Sequence, residues 1–81
     1  MKKVQLVYTK TCVYCPSAKA MWRDLQKKHK FEYQEIDAVS EEGQKLVQKF
    51  MIMAVPTTII DNKVAFIGVP NKDKAEAALS G

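Results

Sequence analysis

The residues of this 81-residue chain whose types and spacing most directly specify chemistry are its two cysteines, Cys12 and Cys15, which enclose Val13 and Tyr14 in a C-x-x-C motif followed by Pro16. Such a motif serves as a reversible disulfide, as half of a zinc site, or as a structural cross-link. The cross-link is a weak use, because closing a four-residue loop contributes only ~2 kcal/mol in the chain-entropy model, against ~3 kcal/mol for a fifteen-residue loop. A zinc site needs further ligands, and His29 is the one histidine. At ~1.5 Å per helical residue it lies about 21 Å along a helix from Cys15, too far to complete a tetrahedral site or to act as a base for Cys12. His29 therefore reads as a solvated residue at a helix end. Thiol–disulfide exchange is the chemistry that fits best: a Cys12 thiolate attacks a disulfide, and Cys15 resolves the mixed disulfide.

A nucleophilic Cys12 must ionise near neutral pH. A helix N-terminus contributes ~0.3–1 kcal/mol, up to ~2 kcal/mol when partly buried, and one pKa unit is ~1.4 kcal/mol, so the dipole alone lowers the thiol by roughly one unit. The remainder is assigned to backbone N–H groups of the first turn and to the charge of Lys10.

These requirements put the motif between a strand and a helix, which is how the surrounding sequence reads. Lys3 to Tyr8 is a strand, apolar on both faces at Val4, Leu6, Val7 and Tyr8, as a central strand is. Thr9-Lys10-Thr11 ends it. From Val13 to Lys28 the spacing of Cys15, Ala18, Trp22 and Leu25 draws one helical face, with Pro16 suited to the first turn. This leaves Cys12 exposed at the helix mouth and turns Cys15 toward the core.

Phe31 to Asp37 alternates as a second strand. Ser40 is an N-cap with Glu41 and Glu42 behind it, opening a helix to Phe50 whose stripe is Leu46, Val47, Phe50 and Met51. Thr57 to Ile60 and Lys63 to Ile67 are strands joined by the Asp61-Asn62 turn. Asn71 caps a last helix with Ala75, Ala78 and Leu79 inward. Met21, Met51 and Met53 read as core gap-fillers, and Trp22 as core. Tyr14 reads equally as a surface residue or a substrate contact. The resulting order, βαβαββα, gives an α/β domain over residues 1–81, a four-stranded mixed sheet flanked by three helices.

Composition bounds the partners. At 47% hydrophobic and 27% charged residues the chain reads as globular, and no apolar run approaches the ~18 residues of a membrane span or forms a signal peptide. The net charge of +4 comes from lysines dispersed among acidic residues, without the stripe that nucleic acid requires. The expectation is a cytoplasmic monomer binding neither nucleic acid nor membrane.

Cys12-Val13-Tyr14-Cys15-Pro16, taken with the separate motif Ala54-Val55-Pro56-Thr57, resembles the thioredoxin and glutaredoxin families. Ile52 to Thr57, followed by Phe66-Ile67-Gly68 and Pro70, is similar to the small glutaredoxin-like thioredoxins of archaea. The resemblance covers essentially the whole chain and implies a minimal thioredoxin fold, a redox-active Cys12–Cys15 disulfide without cofactor or metal, and a cis peptide before Pro56 in a loop facing the cysteines. It further implies a substrate platform of Val13, Tyr14, Val55, Pro56, Thr57 and Val69, where the Val55 backbone pairs with an extended segment.

Partners are then disulfide-containing proteins and a thioredoxin-reductase type of electron donor. A glutathione-dependent glutaredoxin is the alternative. Its pattern of a proline between the cysteines and Gly-Gly plus acidic residues after the last strand is replaced here by Val13 and by Gly68-Val69-Pro70-Asn71. A metal or iron–sulfur module using added thiols is a second alternative.

Overall fold

The computed structural model describes residues 2–80; Met1 and Gly81, the ends of the expected 1–81 domain, lie outside the described residues. The elements are β1 (Lys3–Tyr8), α1 (Cys15–Lys28), β2 (Glu32–Asp37), α2 (Glu41–Phe50), β3 (Thr57–Ile60), β4 (Lys63–Ile67) and α3 (Lys72–Ser80), in the expected order. They form one sheet ordered β2-β1-β3-β4, with β1 parallel to β2 and the other neighbours antiparallel.

Position in the sheet explains the composition of each strand. Central β1 buries Val4, Leu6 and Val7 completely, and its one polar interior residue, Gln5, donates from Nε2 to Gln34 Oε1 of β2 at 3.4 Å. Val4, Leu6 and Ile60 share a core with Ala18, Trp22 and Leu25 of α1 and Ala75 of α3. Val7 and Ile59, of opposite parity, are buried on the other face of the sheet. The β3–β4 turn works because Asp61 and Asn62 both adopt positive φ, 50° and 66°, as a two-residue hairpin turn of the favoured hand requires.

The core of the α1 side is organised by Trp22. Its indole N–H donates to Thr58 Oγ1 at 3.2 Å, and its ring meets Phe31 and Phe66 at centroid distances of 6.1 and 6.3 Å. Both partners of the hydrogen bond are fully buried, so Thr58→Val keeps the shape but leaves a buried donor unpaired. We expect a loss of about 1–3 kcal/mol, read from the denaturant midpoint at unchanged slope.

Helix α2 begins as expected, with Ser40 Oγ accepting from Gly43 N–H at 3.0 Å. The same hydroxyl donates to Asp37 O at 2.6 Å and ties the helix start to the end of β2. Gly43 is required by this close approach, since a Cβ there would lie 1.9 Å from Asp37 O and 2.8 Å from Ala38 Cα. Both are backbone atoms. Gly43→Ala is expected to cost at least the ~1–3 kcal/mol of an overpacked core, with thermal unfolding as the measurement.

Several local expectations are corrected. Helix α1 starts at Cys15, not Val13, because Val13 and Tyr14 form a bend with Tyr14 as the N-cap. Strand β2 starts at Glu32, although Phe31 is buried just before it. Met51 takes the left-handed position that ends α2, φ 53°, which swings it off the helical stripe; it is 82% exposed and Met53 98% exposed, so neither fills the core. Met21 does pack against the core. His29 is half-buried, with Nε2 3.3 Å from Glu76 Oε2 of α3. With Lys72–Asp24 it ties α3 to the end of α1.

Candidate active site

The C-terminal end of β1 delivers the chain into the turn Thr9 to Thr11, and Cys12 N–H donates back to Thr9 O at 3.3 Å. Cys12 and Cys15 are joined as a disulfide with their Cα atoms 5.4 Å apart. The two sulfurs occupy different environments because the helix starts between them. Cys15 is the first residue of α1, on the face that carries Ala18, Trp22 and Leu25, and is 1% exposed. Cys12 precedes the helix and stays half-buried at its mouth. Cys15 is thus turned to the core as expected, whereas Cys12, expected to be exposed, is half-buried.

Facing the pair is the loop that leads into β3. The Val55–Pro56 peptide is cis, and Val55 O lies 3.7 Å from Cys12 Sγ. Two hydrogen bonds hold this loop: Thr57 Oγ1 donates to Ala54 O at 2.6 Å, and Gly68 N–H donates to Pro56 O at 2.7 Å. Gly68 has φ +86°, a conformation that strains a side chain, so the glycine after β4 is what lets the chain turn its amide onto Pro56. Sequence reasoning used Gly68 only as a family signal and missed this contact; a glycine between a strand end and Pro70 is the pattern that pointed to it.

The expected platform is divided by burial. Val13, Tyr14 and Val69 are 82%, 68% and 43% exposed, and Val55 is half-buried. Pro56 and Thr57 are buried, so their side chains stand behind the exposed ones. Lys10 lies on the exposed turn between β1 and Cys12.

Groups with displaced titration lie away from the pair. Burial, then the Glu35 carboxylate that accepts from its hydroxyl, holds the Tyr33 phenol far above the ordinary tyrosine range. The hydrogen bond and charge of Lys72 lower the Asp24 carboxyl, and the Lys3 backbone N–H lowers that of Asp61. Among the described residues, no three His, Cys, Asp or Glu side chains are grouped to hold a metal. No described helix is long and apolar enough to cross a membrane.

A family model described as a thioredoxin domain matches residues 2–80. The chain is similar to a thioredoxin of Methanocaldococcus jannaschii, 34% identical over 79 residues that cover 95% of this chain and 91% of the relative. It is also similar to a probable thioredoxin of Archaeoglobus fulgidus, 31% identical over 72 residues covering 89% and 79%. In fold it resembles a mutant thioredoxin of Halobacterium salinarum, with TM-score 0.80, 18% identity, and 98% of this chain and 72% of that one covered. Since the likeness runs through the described chain and takes in the cysteine pair at the mouth of α1, the chain belongs to the thioredoxin family and is a thiol–disulfide oxidoreductase that uses its own disulfide in place of a bound cofactor.

Proposed function

We propose that residues 1–81 act as one redox domain, a monomeric general reductant of protein disulfides in the cytoplasm. The observation that carries this reading is the contrast between half-buried Cys12 and 1%-exposed Cys15. In the reduced protein the Cys12 thiolate attacks one sulfur of a substrate disulfide, forming a mixed disulfide and expelling the other substrate sulfur as a thiolate. The Cys15 thiolate then attacks Cys12 Sγ, closes the Cys12–Cys15 bond and releases the second substrate thiol. Two electrons have left the protein, and a reductase of the thioredoxin-reductase type returns them.

The α1 N-terminus and the Lys10 charge favour the Cys12 anion. Val13, Tyr14, Val55 and Val69 form the docking surface, with Pro56 and Thr57 behind it. The exposure of Val13, Tyr14 and Val69 supports an apolar protein surface as the partner.

The test compares two reducing systems on the oxidised protein. Rapid reduction by a thioredoxin-reductase system and slow reduction by glutathione with its reductase are expected. Efficient turnover by glutathione alone would overturn this reading in favour of a glutathione-dependent reductant.

A further inference from the structure

The resolving step needs Cys15 as a thiolate, and the place of Cys15 in the fold opposes that. Cys15 is 1% exposed, and burial disfavours the charged form of a thiol. A buried carboxylate could take its proton, but the buried polar side chains among the described residues are Gln5, Thr57 and Thr58. The one histidine lies at the far end of α1 against Glu76.

Lys19 brings a cation to this part of the fold. It follows Cys15 by four residues in α1, which puts the two on one side of the helix with Cβ atoms ~5–6 Å apart. A helical side chain lies over the turn that precedes its own Cα, here the turn that begins at Cys15. The far end of the side chain is fixed, with Nζ 3.6 Å from the centroid of the Tyr8 ring, and both residues are half-buried. Tyr8 ends β1, and the next residue, Thr9, accepts through its carbonyl from Cys12 N–H at 3.3 Å. The ammonium is therefore held between the strand end that leads to Cys12 and the helix that begins with Cys15. An aromatic face holds a cation without neutralising it. Arg23, one turn further along α1, is instead paired with Glu35 at 2.7 Å, whereas among the described residues no carboxylate forms an ion pair with Lys19.

We infer that Lys19, held by Tyr8, is a positioning residue for the second half of the reaction, its charge making the buried Cys15 a competent resolving thiolate. The inference rests on the reading of Cys15 as the resolving residue. In that step the Cys15 thiol gives its proton to water, the thiolate attacks Cys12 Sγ, the bond from Cys12 to the substrate sulfur breaks, and the substrate leaves as a thiolate. Lys19 exchanges no proton and acts by attraction alone. The other charged groups on the elements packed against α1 do not replace it. On β2, Glu35 is engaged by Arg23 and Tyr33, and Glu32 lies at the strand start opposite Lys3 of β1. Asp37, opposite Tyr8, accepts from Val39 N–H at 3.0 Å, and its charge opposes a nearby thiolate. Strand β3 carries no charged residue, and Lys72 and Glu76 of α3 meet α1 at Asp24 and His29. Lys10 lies on the exposed turn before Cys12.

The test first reads Cys15 alone, in the full chain carrying Cys12→Ser, by following the NMR shift of its isotopically labelled Cβ against pH. Adding Lys19→Gln should raise the midpoint by about half to one pH unit. Adding Lys19→Arg, which keeps a cation able to stack on Tyr8, should leave it near the parent. Tyr8→Leu should raise it less than Lys19→Gln does, because the ammonium remains but is no longer held. The second reading uses the chain with both cysteines and the symmetric disulfide of thionitrobenzoate. Attack by Cys12 releases one coloured thiolate, and resolution by Cys15 releases a second. At neutral pH Lys19→Gln should slow the second release about three- to tenfold relative to the first.

An unmoved midpoint or an unslowed second release in Lys19→Gln would overturn the inference while leaving the reductant reading standing. Equal effects of Lys19→Gln and Lys19→Arg would overturn it in favour of a packing role for the side chain. Release of a single thionitrobenzoate per native chain would remove Cys15 as the resolving residue, and the inference with it.

Discussion

Cys12→Ser is expected to abolish disulfide reduction, a loss on the order of a thousandfold or more, while Cys15→Ser leaves attack intact and stops release. A serine hydroxyl is not ionised at neutral pH, and the one histidine packs at the far end of α1 against Glu76, away from residue 12. With Cys15 replaced, Cys12 still captures a substrate sulfur, but no second thiolate expels it, and the substrate accumulates as a covalent adduct. Mass spectrometry of the two variants after exposure to a disulfide-bonded protein separates the roles: an adduct on Cys15→Ser, none on Cys12→Ser. Full dithiol turnover by either variant would contradict them.

Trp22→Ala carries the largest expected stability loss, about 3–5 kcal/mol. That is a large share of the ~5–15 kcal/mol by which a domain is stable. The side chain is fully buried, joins α1 to β3 through Thr58, and lies edge-on to Phe31. Its removal leaves a cavity and an unpartnered Thr58 hydroxyl in the core that backs the site helix. Trp22→Phe retains ring packing and loses the hydrogen bond, so it should fall between the alanine variant and the native chain. Urea unfolding of the three proteins checks the order; an alanine variant within ~1 kcal/mol of the native chain would show that α1 is anchored elsewhere.

The parts of this structure that were legible in the sequence are those written in short-range pattern. The Cys15, Ala18, Trp22, Leu25 spacing needed no tertiary information to define a buried face, and the Asp61-Asn62 turn and the Ser40 cap are local chemistry. What escaped depends on contacts distant in sequence or on one backbone torsion. Met51 fits the α2 stripe until its positive φ turns it outward, and helical periodicity does not contain that switch. By propensity Gly43 is a weak helix residue, and its reason is the end of β2 pressed against it. Trp22 finds its hydrogen-bond partner 36 residues away, and His29 meets Glu76 47 residues away. The cysteine pair was evident from its motif, whereas the loop that faces it is held by Gly68, which reaches Pro56 from beyond β4.

The measurement that bears most directly on the central claim is the pH dependence of alkylation of the freshly reduced protein, with the modified residue located by mass spectrometry. The account predicts a single adduct, on the half-buried sulfur that precedes α1, with a midpoint at least about one unit below the ~8.5 of a free thiol. Equal labelling of both sulfurs, or a midpoint at or above that of free cysteine, would contradict it.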